Sequence, residues 1–357
     1  MKVLLALTDQ SFTATKSVGI FNVSMGLARG LMHSPGVSEL HILGNNECAE
    51  HLADLPPHVH LHLADKPVPR RFGRVWWDQV GVCAAIRRIQ PDWAILPKGF
   101  PPFFPMLGKT KLACYLHDVN WEYYEQHHGE GDSPFPRHEL LYFRALGLRS
   151  LSVSDLVLTS TQFNKSRYEH YRPGCRTAVV GIGFDAPART YIPAAGRDIL
   201  FYASPFPHKL TNLGIQRVEA WLKQRPDAAS IRIHLIGRIP KTTTLPGAHW
   251  LEHGRLPFDE LQHLLHHESR CAIYFSDYEG FGMPPVECLR GGIPCLASAL
   301  PPICENIPAH FTFDNQDESD FIQKLNQAYD APDMANLPQF PTWKDVASRC
   351  IEAMKNA

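Results

Sequence analysis

Residues 271–298, CAIYFSDYEGFGMPPVECLRGGIPCLAS, decide the fold. CAIYFS is a short apolar run of the kind that forms a buried strand. SDYEGFGM follows as a glycine-containing loop. Pro284 and Pro285 suit the first turn of a helix, where a missing N–H costs nothing. Gly291 and Gly292 suit its end, and IPCLAS begins the next strand. Strand, loop, helix, strand is the repeating unit of a parallel α/β sheet, and ligands bind such sheets at the carboxyl ends of the strands. A glycine loop at a helix start offers backbone N–H groups to an anion. Glu287 is expected in the first helical turn, where its carboxylate can accept the paired hydroxyls of a ribose. Glu279, one loop earlier, can reach the hydroxyls of a second sugar. A ligand with hydroxyls at both ends and phosphates between them, a nucleotide sugar, suits this layout. In the plainer alternative, Glu279 is a solvated loop residue and Glu287 a charge that favours the helix N-terminus.

Outward from this stretch the same alternation continues. KVLLALT, ELHILG, VHLHLA, DWAILP, KLACYLHD, DLVLTS and TAVVGIG are strand-like, with helical spacing between many of them, as in GIFNVSMGLARGLMH and WWDQVGVCAAIRRI. FDAPARTYIPAAGRD, residues 184–198, breaks the pattern and is the expected linker. A second series follows it: ILFYAS, IRIHLIG, CAIYFS and PCLAS, with LGIQRVEAWLKQ and FDELQHLLHHE between them. At 357 residues the chain exceeds one ordinary core, so two Rossmann-like domains are expected, 1–188 and 189–340. PKGFPPFFP, residues 97–105, is expected to be a surface loop.

Apolar residues make up 44% and charged residues 20%, which is the balance of a globular protein. The formal net charge of -1 gives no basic excess for nucleic acid. The nine cysteines form no CxxC pair, as expected of buried thiols in the cytoplasm. MKVLLALTDQ is too short an apolar run for a signal peptide or a membrane span. There is no P-loop, G-x-G-x-x-G, G-x-S-x-G, zinc spacing or D-x-D metal motif, so no cofactor and no catalytic metal are expected.

EGFGMPPVECLRGGIPCLAS resembles the E-x7-E signature of the retaining GT-B glycosyltransferases of family 4. That resemblance implies two Rossmann-like domains facing a central cleft. Glu287 would hold the donor ribose and Glu279 the transferred sugar, with Gly280, Phe281, Gly282 and Met283 on the donor side. In ILFYASPFPHKLTNLG, Lys209 stands where the family binds the donor phosphates. The family's upstream arginine is missing, since Tyr202, Ser204 and Pro205 occupy that neighbourhood. His208 or Arg238 is the expected substitute cation. KLACYLHDVNWEYY places His117 and Asp118 at the family's "HD", beside the transferring sugar and the acceptor. A structural His–Asp pair is the alternative. Gly19 of TATKSVGIFNVSMGL is all that matches the family's glycine-rich turn on the donor phosphate. TWKDVASRCIEAM resembles the last helix, 341–357, which crosses back to the N-terminal domain.

The implied activity is metal-independent transfer, with retention, of a hexose or deoxyhexose from a nucleotide-diphosphate sugar. GDP-mannose and dTDP-rhamnose are the favoured donors. A glycan or lipid-linked saccharide of cell-surface polysaccharide or lipopolysaccharide synthesis is the expected acceptor. The alternatives are a phosphorylase or epimerase of the same fold, and a binding or scaffold protein without turnover. KPVPRRFGRVWWDQ sets Arg70, Arg71 and Arg74 beside Trp76 and Trp77, a pattern that can seat a protein peripherally on the cytoplasmic face of an anionic inner membrane. The plainer reading of the tryptophans is the start of a core helix.

Overall fold

The computed structural model describes residues 1–8, 18–52, 54–63, 76–127, 135–185, 189 and 196–357. The chain forms two compact units. The first comprises Met1–Trp121, Arg137–Asp185 and Pro341–Ala357, and the second Glu122–Pro136 and Ala186–Phe340.

The first unit carries a seven-stranded sheet in the order β3-β2-β1-β4-β5-β6-β7, parallel throughout. Its strands are β1 (Lys2–Ala6), β2 (Glu39–Gly44), β3 (Val59–Leu63), β4 (Trp93–Leu96), β5 (Lys111–Tyr115), β6 (Leu156–Thr159) and β7 (Thr177–Val179). All four residues of β4 and of β6 are buried, which is why they read as unbroken apolar runs: helices cover both faces of the sheet. Its helices include α1 (Val18–Met32), α2 (Val82–Ile89), α3 (Arg137–Val153) and α4 (Gln162–Tyr171). Val82, Ile86 and Ile89 of α2 pack with Leu4, Leu96 and Leu112.

The second sheet has six parallel strands in the order β10-β9-β8-β11-β12-β13. They are β8 (Asp198–Ala203), β9 (Ile233–Gly237), β10 (Trp250–Gly254), β11 (Ser269–Tyr274), β12 (Cys295–Ser298) and β13 (Thr312–Phe313). Its helices include α5 (Thr211–Leu222), α6 (Met283–Arg290) and α7 (Glu318–Asp330). Phe201, Trp221, Leu235, Ile273, Phe275, Phe313 and Phe321 form the core. The sequence pattern misses β10 and β13, because WLEHG carries charge and TF is too short to register.

The chain then returns to the first unit as α8 (Trp343–Asn356), started by a Thr342–Asp345 capping box. α8 lies on α1, where Gly26 and Gly30, one turn apart, leave room for Trp343. A Cβ on Gly26 would stand 1.9 Å from the Trp343 ring, and one on Gly30 2.3 Å from its carbonyl oxygen.

Three expectations change. Stretch 122–136 belongs to the second unit, because Tyr123, Tyr124 and Phe135 pack on Phe206 and His208. The 97–105 loop is only partly a surface loop: Pro97, Gly99, Pro101 and Pro102 are buried, whereas Phe103 and Phe104 are exposed. Gly19 is the second residue of α1 rather than part of a turn. The linker is described only at 184–185, 189 and 196–198, and Arg70, Arg71 and Arg74 lie outside the described residues. Trp76 is exposed and Trp77 half-buried. Among the described residues no helix is long and apolar enough to cross a membrane.

Candidate functional site

The second sheet reverses its strand order between β8 and β11: the chain leaves β8 towards β9 on one side and β11 towards β12 on the other. Such a reversal opens a crevice at the carboxyl ends of the two strands. The loop after β8 carries His208 and Lys209, and the loop after β11 carries Glu279.

Local structure fixes both loops. After β8, a 3-10 turn spans Pro207–Lys209, and Leu210 then takes a left-handed conformation (φ 45°) to enter α5. That conformation costs a residue with a Cβ of order 1 kcal/mol. After β11, Ser276 N–H donates to Ser298 Oγ at 2.9 Å, and Asn315 Nδ2 donates to the Ser276 carbonyl at 2.8 Å. Asp277 N–H reaches across to the His208 carbonyl at 2.6 Å, so the two loops are tied together. Gly282 ends the second loop at φ 86°, with Ile303 Cγ1 2.8 Å from where a Cβ would sit, so both conformation and space call for glycine.

Lys209, Tyr274 and Glu279 form one cluster. The Lys209 ammonium donates to the Tyr274 hydroxyl at 2.7 Å and is ion-paired with Glu279, and the Tyr274 hydroxyl donates to the same Glu279 oxygen. The side chains of Lys209 and Glu279 are 19% and 11% exposed, so the pair is largely desolvated. Burial alone would raise the Glu279 pKa, but Lys209 and the Tyr274 hydrogen bond outweigh it and hold the carboxyl below its ordinary value. Two of the three ammonium hydrogens have partners, and the third is available to a ligand oxygen.

Glu287 is the fifth residue of α6, in the second turn rather than the first, because the helix starts at Met283, one residue before the proline pair. Its surface is open to solvent, yet the surrounding protein strips enough water from the carboxylate to push its pKa up to about 7. No cation pairs with it among the described residues. Phe281 is buried, so its ring is an anchor for the loop, while Gly280 and Met283 are half-buried. The cross-strand neighbours Tyr202 and Tyr274 meet edge to face at 6.1 Å, and the Tyr202 hydroxyl lies 3.4 Å from Cys288 Sγ, joining α6 to β8.

His208 cannot serve as the second cation. It is enclosed by Tyr123, Tyr124 and Phe206, and its Nδ1 lies 2.8 Å from the Tyr124 hydroxyl. Burial, reinforced by the Lys209 charge, takes its pKa down to about 3, so the ring is neutral. Arg238 is exposed at the carboxyl end of β9, on the same sheet edge as Lys209. Gly237 before it has φ 106°, and a Cβ there would fall 2.1 Å from the Ala203 carbonyl oxygen at the end of β8.

His117 and Asp118 follow β5 in the first unit. His117 Nε2–H donates to the Pro97 carbonyl at 2.7 Å, which leaves Nδ1 as the acceptor. Burial takes its pKa down to about 4, so it is neutral near pH 7. Asn164 Nδ2 holds the His117 carbonyl at 2.8 Å, and Asp118 accepts from Asn120 N–H at 3.1 Å. Tyr274 is the residue that motif reasoning missed. A tyrosine closing an otherwise aliphatic strand was the available signal.

Residues 213–339 match the family model described as "Glycosyl transferases group 1". No curated protein matches the chain in sequence. Among solved structures, sucrose-phosphate synthase from Thermosynechococcus elongatus superposes with a TM-score of 0.63 at 13% identity, covering 99% of this chain and 94% of that one. The lipopolysaccharide outer core galactosyltransferase WaaB gives 0.59 at 12% identity, with 100% and 98% covered. Trehalose-6-phosphate synthase, OtsA, gives 0.58 at 12% identity, with 99% and 95% covered. At such identities the likeness speaks for the fold. The whole chain therefore has the GT-B fold of these structures, and residues 213–339 carry the match to the glycosyl transferases group 1 model.

Proposed function

We propose that this protein is a retaining glycosyltransferase that uses a nucleotide-diphosphate sugar and needs no catalytic metal. The observation that carries the reading is the convergence of Lys209, Tyr274 and Glu279 at the β8–β11 reversal, with Glu287 on the adjoining helix. The third Lys209 hydrogen takes a donor phosphate oxygen, with Arg238 as the second cation. Glu287 accepts the ribose hydroxyls and Glu279 those of the transferred sugar. The acceptor hydroxyl attacks the anomeric carbon on the face from which the diphosphate departs, and its proton passes to the leaving phosphate. No protein nucleophile is required, so catalysis rests on positioning and charge stabilisation. His117, neutral with Nδ1 free to accept, serves a sugar hydroxyl on the acceptor side together with Asp118. A similar structure, TarM, was obtained in complex with UDP and α-GlcNAc-glycerol, which supports a nucleotide and a saccharide as the ligand classes here.

GDP-mannose or dTDP-rhamnose is the proposed donor, and a glycan or lipid-linked saccharide at the cytoplasmic membrane face the acceptor. A panel of nucleotide sugars, each offered with and without saccharide acceptors in EDTA, tests the reading. Transfer with the donor's anomeric configuration kept is expected. Conversion of donor without acceptor would identify an epimerase instead. Binding without turnover across the panel would identify a scaffold.

A further inference from the structure

At the opposite, amino-terminal edge of the second sheet, Asp198, His234 and Glu268 converge. Asp198 opens β8, His234 is the second residue of β9, and Glu268 immediately precedes β11. His234 is 2% exposed. Its Nε2 lies 3.0 Å from Asp198 Oδ2 and 3.7 Å from Glu268 Oε2. The three ligand atoms all lie within 4.8 Å of one another.

We infer that these residues form a binding site for a first-row divalent transition ion, of which zinc is the best fit. One imidazole nitrogen faces two carboxylates but carries at most one hydrogen, so it can donate to only one of them. Among the described residues no lysine or arginine pairs with Asp198 or Glu268. A divalent ion balances both charges at once. Ligand atoms around tetrahedral zinc stand about 3.4 Å apart, between the two separations seen here. An imidazole with two carboxylates is a mixed donor set that favours zinc over magnesium.

The surroundings also orient the ligands. Asp198 Oδ1 is held by the Arg232 N–H at 3.1 Å, which points Oδ2 at the site. His234 Nδ1 lies 2.9 Å from His253 Nε2, stacked at 5.1 Å, so Nδ1–H can donate there while Nε2 binds the ion. His263 Nε2, 3.7 Å from the other Glu268 oxygen, or water completes the shell.

A second cluster in the first unit sharpens the choice. Glu39, His41 and His60 also lie close enough to share an ion, but Lys2 already neutralises Glu39 at 3.2 Å. The Asp198 site has no such cation, and it joins the strand that follows the linker to β9 and to the entrance of β11. A bound ion therefore staples three segments far apart in sequence.

Calorimetric titration of the metal-stripped, full-length protein with zinc sulfate, and melting curves with and without zinc, test the inference. One zinc ion per chain is expected at this site. Saturating zinc at about 100 times Kd should raise Tm by about 5 °C, and magnesium should do neither. Glu268→Gln and Asp198→Asn should each weaken zinc binding at least about tenfold and remove the Tm rise, while Glu39→Gln keeps both. Glu268 is partly exposed, so its variant keeps the test available if Asp198→Asn lowers the metal-free Tm. No binding by the unaltered protein, or zinc binding unchanged in both variants, overturns the site.

Discussion

The two sheets reverse their strand order at equivalent places, between β1 and β4 in one unit and between β8 and β11 in the other, yet the chemistry beside the two reversals differs. In the second unit, the end of β11 and the loops following β8 and β11 bring a tyrosine, a lysine and a glutamate into one charged cluster, with Glu287, whose pKa is raised, on the adjoining helix. In the first unit, the carbonyl of Pro97, just after β4, holds a neutral histidine from the loop that follows β5. Lys98 there stands 5.5 Å from the Phe100 ring centroid. One fold thus presents two kinds of chemistry, matching the two roles proposed above. Fixed charge suits a diphosphate, and a neutral acceptor atom suits a sugar hydroxyl.

The largest expected effect breaks the charged side of this comparison. Lys209→Ala leaves Glu279 buried without its cation, which should destabilise the second unit by about 3 kcal/mol. It should also remove most nucleoside diphosphate binding. Chemical denaturation and calorimetry check the two effects, and retained affinity would take Lys209 out of the phosphate site.

Glu279→Gln separates sugar from phosphate. It frees the Lys209 ammonium from its carboxylate partner, so nucleoside diphosphate affinity should hold or rise while turnover falls about a hundredfold. Steady-state kinetics beside a binding titration decide this; parallel losses in both variants would collapse the division of roles.

Glu287→Ala should weaken nucleoside diphosphate binding by about 1.5–3 kcal/mol, the range for hydrogen bonds to a charged group. The sign with pH follows from its raised pKa of about 7. The carboxylate proposed to accept the ribose hydroxyls is mostly protonated at pH 6 and mostly ionised at pH 8. Affinity should therefore rise by a few-fold to about tenfold over that window, and Glu287→Gln should flatten the rise. A pH series of titrations would show either.

Gly26→Ala tests the first unit by packing alone. The added Cβ meets the Trp343 ring. Overpacking of this kind costs about 1–3 kcal/mol, partly offset by better helix propensity. Tm should fall with nucleoside diphosphate affinity unchanged, and a drop in affinity would mean that the donor site depends on the α1–α8 contact.

The smallest effect concerns His117. With its pKa down to about 4, it does not change charge between pH 6 and 8. His117→Gln should lower turnover while leaving the shape of the pH–rate profile across that range as it was. A lost limb in that profile would assign His117 a proton-transfer role.

Much of this was legible in the chain. Strand-like runs separated by helical spacing specify parallel α/β sheets because burial on both faces demands unbroken apolar segments. The order strand, glycine loop, proline, helix places Glu279 and Glu287 near a carboxyl-terminal sheet edge for a local reason: Gly282 and the prolines act within a few residues. Local signals also have limits. Pro284 and Pro285 suggest a helix start one residue late, because the left-handed Gly282 sets it at Met283. Gly19 reads as a turn but lies in α1.

What tertiary structure alone decided depends on residues far apart in sequence. The Lys209–Tyr274–Glu279 cluster joins two loops tied by the Asp277–His208 bond. His208 is neutral because Tyr123 and Tyr124, more than eighty positions earlier in sequence, enclose it. Periodicity and turn chemistry report whether a segment is buried and where it bends. The charge state of a side chain depends on which distant segment removes its water and which group faces it, and those are set only when the sheet brings its strands together.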